Sequence, residues 1–137
     1  MSKYASIVLR TGIAIVFLWF GFSQISKPVQ WTLMVPDYAS LIPLSTITMI
    51  YLNGILEIVF AALLLLGLYT RITSLLLALH LFHIVTIVGY GAVGIRDFAL
   101  ALATLSIFLN GPDEFCIDTI NKKNKENDLQ QKSGGIL

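Results

Sequence analysis

The chain has 137 residues, 56% of them hydrophobic and only 12% charged, with a formal net charge of +1. A soluble domain carries about 25% charged residues, whereas here residues 1–110 hold 8 charges and the last 27 residues hold 9. This excludes a disordered chain, a basic nucleic-acid binder and, with Cys116 as the lone cysteine, a disulfide-rich secreted domain; an integral membrane protein or a very apolar soluble bundle is left.

The first element is an apolar stretch over 4–25, interrupted by Arg10. Its short flank and the lack of a small-residue cleavage site after Gly21 make it a span rather than a removable signal peptide. A long loop follows, carrying Pro28, Pro36 and Pro43 with Trp31 and Tyr38. Aromatic side chains favour the headgroup zone, so this loop is expected along the membrane surface, with a short interfacial helix. The second span covers 46–69 and holds a single charge, Glu57. The tight turn from Gly67 to Thr73 leads into a third, charge-free span over 72–91 and implies an antiparallel hairpin. The fourth span, 95–115, is the weakest, because it includes Arg96 and Asp97.

No run alternates with period two, so a barrel is excluded, and each helix satisfies its own backbone in lipid. The expected fold is all-α: an integral membrane bundle of four transmembrane helices in one domain, 1–120. A long first extramembrane loop and a polar, flexible tail over 121–137 complete it. Four spans put both termini on one side. That side carries Lys3, Arg10, Arg71, Lys122, Lys123 and Lys125 against Lys27 and Arg96 on the other. The positive-inside rule makes it the cytoplasmic side of a plasma membrane.

Gly89-Tyr90-Gly91-Ala92-Val93-Gly94 spells G-x-G-x-x-G. A dinucleotide fingerprint needs a preceding strand and a βαβ unit; a transmembrane helix precedes this one, so no nucleotide is expected. Gly12, Gly21 and Gly54 point to close helix packing. Cys116 reads as an inert small residue before a palmitoylation site, and the tail lysines as solvation rather than a lipid site.

Ionisable groups within a membrane face other helices, pair, and mark function. With the turn centred on Thr70, Glu57 and His83 fall at equal depth, and His80 lies about 4–5 Å nearer the cytoplasm. His80 and His83 share a helical face, as do Asn53 and Glu57. Arg10 is expected within one long side chain of Glu57, as a buried ion pair. The cluster of Arg10, Asn53, Glu57, His80 and His83 admits several readings. Its members could be interhelical hydrogen-bonding groups that fix register. They could be a quinone site, supplying donors to the ring carbonyls and groups that exchange protons. A metal site from H-x-x-H and a carboxylate lacks a completing cluster, so no metal is expected. A haem would lack a facing ligand. No C-x-x-C-H motif is present, so no covalently attached cofactor is expected.

Several pieces then fall in a recognisable order. Leu9-Arg10 opens the first helix, followed by Phe17-Leu18 and Gly21. Glu57 lies in the second, which ends Leu64-Leu65-Leu66-Gly67-Leu68-Tyr69-Thr70-Arg71. Asp97 stands at the start of the fourth, and Gly111-Pro112-Asp113-Glu114-Phe115-Cys116-Ile117-Asp118 closes the set. Over residues 5–120 the chain resembles the DoxX family of small four-helix membrane proteins, with its LLLGL-x-TR turn and its closing GPG…SLD stretch. The resemblance implies Arg10, Glu57, Arg71 and Asp97 as family-type polar positions. It also implies a link to membrane redox systems such as terminal quinol oxidases, thiosulfate:quinone oxidoreduction and oxidative-stress complexes. The sequence departs from the family pattern at Phe20, where a histidine is frequent, and at Gln24, near the place of a lysine.

The function expected is a small subunit or accessory component of a quinone-linked membrane redox complex, not an enzyme on its own. Its partners would be the lipid bilayer and other membrane subunits, or further copies of itself. A packing or assembly subunit is the first alternative, and a protein that lets small solutes or ions permeate is the second.

Overall fold

The computed structural model describes residues 2–135, with side chains from Tyr4 onward. Five helices follow one another: α1 (Ser2–Ser26), α2 (Thr46–Leu66), α3 (Thr70–Val88), α4 (Ala92–Asn110) and α5 (Ile117–Gly134). There is no strand among the described residues. The first four are long and apolar enough to cross a membrane. The protein is therefore an all-α bundle of four membrane-crossing helices.

The helix limits follow from caps. Ser45 starts α2, its Oγ accepting the Thr48 N–H at 3.1 Å. Gly67 ends it in the left-handed region at φ 71°, with the Leu68 N–H returning to the Leu63 carbonyl at 2.9 Å, the bond that closes a Schellman-type stop. So α2 ends at Leu66 rather than 69, and α3 starts at Thr70 rather than 72. Gly89 and Gly111, at φ 72° and 75°, stop α3 at Val88 instead of 91 and α4 at Asn110 instead of 115; Pro112 cannot extend the latter. With Gly91 as its N-cap, α4 begins at Ala92, ahead of the expected 95.

Consecutive helices are neighbours around the bundle, and the closest pairs are α1 with α2 and α3 with α4. Glycines allow the first approach: a Cβ on Gly21 would lie 2.7 Å from the Gly54 carbonyl oxygen. Buried Ser74 and Ala78 on α3, and Ala101 and Thr104 on α4, are small enough to allow the second. Although α2 and α3 are joined by a tight turn, they meet less closely than either pair. The apolar core of Ile13, Ala14, Phe17, Ala61, Leu64, Leu77, Leu81, Ala101 and Ile107 fills the half of the bundle near the termini. Val8, Ile15, Trp19, Ile55 and Val59 point outward, as lipid-facing side chains do.

Two segments carry more structure than the sequence suggested. The first loop does not merely lie along the surface. Its segment Pro28–Met34, a 3₁₀ helix, packs on α1, α2 and α3, because Trp31 stacks edge-on against Phe20 and donates its indole N–H to Ser23 Oγ at 3.2 Å. The tail is not structureless either. Ile117–Gly134 is helical, with Asp118 in its first turn and Lys132 in its last, which suits the helix dipole. From Ile120 onward it is exposed. The last two residues of the expected tail, 136 and 137, lie outside the described residues.

Candidate functional site

Glu57 sits near the middle of α2 and is 2% exposed. Three side chains from three helices meet its carboxylate. Gln24 Nε2 donates to Oε2 at 2.9 Å, Asn53 Nδ2 to Oε1 at 3.0 Å, and His80 Nε2 lies 3.0 Å from Oε1. Asn53 Nδ2 also reaches Gln24 Oε1 at 2.8 Å, so the amides form a closed set around the acid. Each placement has a local cause. Asn53 is one turn before Glu57 on the same face. Gln24 is one turn past Gly21, on the face that the Gly21–Gly54 crossing presses against α2. His80 is level with Glu57 because the interhelical turn is centred on Leu68. Centring it on Thr70 wrongly places His83 there.

Beside the carboxylate is a cavity of about 190 Å³, lined by the helices and by Trp31, Met34, Pro36 and Ala39 of the first loop. Phe20, Trp31, Met34, Met49, Ile84 and Ile87 give it apolar walls; Gln24, Asn53, Glu57, His80 and His83 give it polar ones. A dry cavity of about 150 Å³ accepts a benzene ring, so a single ring-sized group fits. His83 lies one turn beyond His80 and is exposed. Its Nε2 is hydrogen-bonded to the Tyr38 hydroxyl of the loop. Asp97, buried at the start of α4, accepts from Arg96 Nε at 2.8 Å, and the Arg96 guanidinium stands 5.3 Å over the Phe20 ring. Arg96 and Asp97 thus tie α4 to α1 at the cavity wall.

Arg10 is not part of this site. Its expected pairing with Glu57 is replaced by Asp113, whose Oδ2 accepts from Arg10 Nε at 2.7 Å, and by the carbonyls of Leu64 and Leu65, which accept from Nη1. The reason is depth: those carbonyls lie seven and eight residues beyond Glu57, about 11 Å along the axis. They belong to the last turn of α2, where carbonyls are short of helical partners; besides Arg10, the Leu64 carbonyl accepts only the Gly67 N–H of the cap, at 3.2 Å. Beside them, Asp118 supplies the N-cap that α3 lacks. Its Oδ1 accepts from the Tyr69 N–H at 3.1 Å, and its Oδ2 from the Thr70 N–H at 3.0 Å.

Partial burial alone would raise the Asp113 carboxyl; the hydrogen bond and charge of Arg10 and the Phe115 N–H outweigh it and hold the acid below its ordinary value. Burial pushes the Cys116 thiol up, in keeping with an inert residue. Arg71 is exposed, and its guanidinium lies over Gly111, where a Cβ would stand 2.9 Å from Nε.

The structure therefore brings together Asn53, Glu57 and His80, with His83 on the same cavity, and sets Arg10 and Arg71 at the opposite end. Gln24 and Tyr38 complete the site without having been candidates; Gln24 was legible as the residue one turn from Gly21. Among the described residues no group of three histidine, cysteine or acidic side chains is placed to hold a metal ion. A family model described as DoxX matches residues 5–90, which takes in α1, the first loop, α2 and α3, and stops short of Asp97. No curated protein and no solved structure matches the chain.

Proposed function

We propose that this chain, which belongs to the DoxX family, is a small integral membrane subunit of a quinone-linked redox complex whose quinone head group enters the cavity beside Glu57. The observation that carries this reading is the buried Glu57 carboxylate, held by Gln24, Asn53 and His80 against a ring-sized cavity whose remaining walls are mostly apolar. A quinone carbonyl needs a hydrogen-bond donor, and quinone chemistry moves two protons with two electrons. The amides and His80 are donors, and Glu57 with His80 exchanges protons. The chain has no cofactor-attachment motif, so the electrons come from a partner subunit. The end bearing the termini, with Arg71, Lys122, Lys123 and Lys125, faces the cytoplasm in this reading.

The test is photo-crosslinking of a short-tailed azidoquinone to the complex purified from native membranes. Labelling at Trp31, Met49 or their neighbours, competed by unlabelled quinone and lost in Glu57→Gln while the complex stays assembled, is the expected result. Labelling that is absent, or unchanged in Glu57→Gln, overturns it. One observation favours a packing subunit instead: among the described residues, no buried side-chain polar atom lacks a hydrogen-bond partner, as a cluster that only fixes helix register requires. Under that reading Glu57→Gln disassembles the complex first.

A further inference from the structure

We infer that Glu57 and His80 exchange protons with one aqueous phase only, the one at the end of the bundle that carries the first loop, and that His83 and Tyr38 form the entry. The consequence for quinone chemistry rests on the function proposed above, whereas the exchange itself needs no quinone.

The two directions from Glu57 differ in kind. Toward the termini, the path is closed by Ala14, Phe17, Ala61, Leu64 and Leu77, none more than 1% exposed. The next ionisable groups that way are Arg10 and Asp113, already engaged with each other at 2.7 Å. The buried hydroxyls beside this plug, Ser74 and Thr104, donate to carbonyls of their own helices at 2.6 and 2.7 Å, so they build no hydrogen-bonded chain from Glu57 toward the termini. Toward the loop, the cavity begins at the carboxylate itself. His83 lies on the same face of α3 as His80, reaches the surface, and is joined to the exposed Tyr38 hydroxyl. The cavity between the two imidazoles is far larger than the about 10–15 Å³ that one water needs.

The groups facing Glu57 narrow the route further. From α1 it meets Gln24 and from its own helix Asn53, amides that do not titrate. From α4 the cavity receives Asp97, tied to Arg96 at 2.8 Å. From α3 it meets His80, with His83 beyond. The two histidines are thus the proton carriers that lead outward. A proton leaves water at the loop, bonds to a ring nitrogen of His83, crosses the cavity through water, and reaches the His80–Glu57 pair. Only N–H and O–H bonds form and break, and the reverse sequence returns the proton to the same side. A quinone reacting in this cavity would take up or release its protons on the loop side, whichever side its electrons come from.

The experiment reconstitutes the full chain in liposomes, with orientation sorted by protease access to the C-terminal helix. A pH step is applied to one side, and the carboxyl infrared band is followed, assigned through its absence in Glu57→Gln. The band is expected to answer a loop-side step and to ignore a step on the terminal side. His83→Phe, and separately Tyr38→Phe, should leave the band in place, with His83→Phe slowing its response about ten-fold or more. A response from the terminal side, an equal response from both, no response from either, or an unaltered rate in His83→Phe overturns the inference. Azidoquinone labelling of the same liposomes keeps the two readings apart: one-sided exchange without labelling refutes the quinone site and leaves the proton route standing.

Discussion

At the end of the bundle that carries the termini, Arg10 meets Asp113 and the Leu64 and Leu65 carbonyls, and its partners keep their charge or dipole at any ordinary pH. At the loop end, Glu57 meets two amides and an imidazole beside a cavity. Both acids are buried and both are fully hydrogen-bonded, yet only one is free to change partners. The guanidinium is committed to two backbone carbonyls and one carboxylate from distant parts of the chain, so it fastens α1, α2 and the segment after α4 together. The Glu57 partners are groups that rotate or change protonation state, so the set can rearrange around a guest. Burial of charge is common to both ends; what separates a fastener from a site is whether the partners can give way.

The largest effect is expected from breaking the fastener. Arg10→Leu leaves Asp113 without its cation and should cost about 3–5 kcal/mol, read as a lowered unfolding temperature in detergent. Removing both charges, in Arg10→Leu with Asp113→Leu, should recover much of that loss, since no buried charge is then unpaired; a double variant as unstable as the single one would show that the carbonyl bonds dominate. The same pair sets an acid limit. The folded pKa of Asp113 lies below its ordinary 3.8, so the folded state binds fewer protons than the unfolded state near that pH. The stability it contributes is complete above the ordinary value and is lost as pH falls through the lower folded one. Unfolding temperatures measured from pH 6 downward should therefore drop below about pH 4, and part of that drop should vanish in Asp113→Asn.

A middle-sized effect is expected at the helix crossing that serves the site. In Gly21→Ala the new Cβ would lie 2.6 Å from Ile58 Cγ1 and 2.7 Å from the Gly54 oxygen, so α1 and α2 must separate. Overpacking of this kind costs about 1–3 kcal/mol. It should also draw Gln24 off Glu57, seen as a shift of the carboxylate infrared band. A smaller loss, about 1 kcal/mol, is expected for Asp118→Ala, which removes the cap of α3; hydrogen exchange at Tyr69 and Thr70 should quicken while amides near Glu57 keep their protection. Equal quickening at both places would mean that the two ends are one cooperative unit.

The spans were legible because twenty-odd apolar residues in lipid have few alternatives to a helix. Their limits were less so, since they depend on Gly67, Gly89 and Gly111 adopting positive φ, a property of backbone geometry rather than of hydropathy. Because Gly67 ends α2 at Leu66 and α3 starts at Thr70, the turn is centred two residues before Thr70 and His80, not His83, stands at Glu57. The meeting of Asn53 with Glu57 was legible because it is local. The pairing of Arg10 with Asp113 was not, because 103 residues separate them and Asp113 lies past the last span, where composition alone suggested solvent. Gln24 is legible in the sequence as a departure from the family pattern but not as a site residue. An uncharged amide stands out in no count of intramembrane charge, though its hydrogen bonds to Glu57 and Asn53 join α1 to the site.

The smallest effect on stability should come from Glu57→Gln, and the contrast with Arg10 lies there. The replacement keeps the volume and one carbonyl oxygen. Asn53 and His80 can both still donate to that oxygen, and the Gln24 amide can turn its oxygen toward the new NH₂ group, giving up its bond from Asn53. The cost should stay below about 1 kcal/mol, the worth of one net hydrogen bond. Glu57→Leu removes the acceptor altogether and strands two amides and an imidazole, which should cost about 1–3 kcal/mol. If Glu57→Gln instead unfolds the bundle as readily as Arg10→Leu, the carboxylate is a second fastener, and the cavity beside it is a by-product of packing. If it is tolerated while its proton response and quinone labelling vanish, the loop end is held together by groups chosen for their ability to change partners.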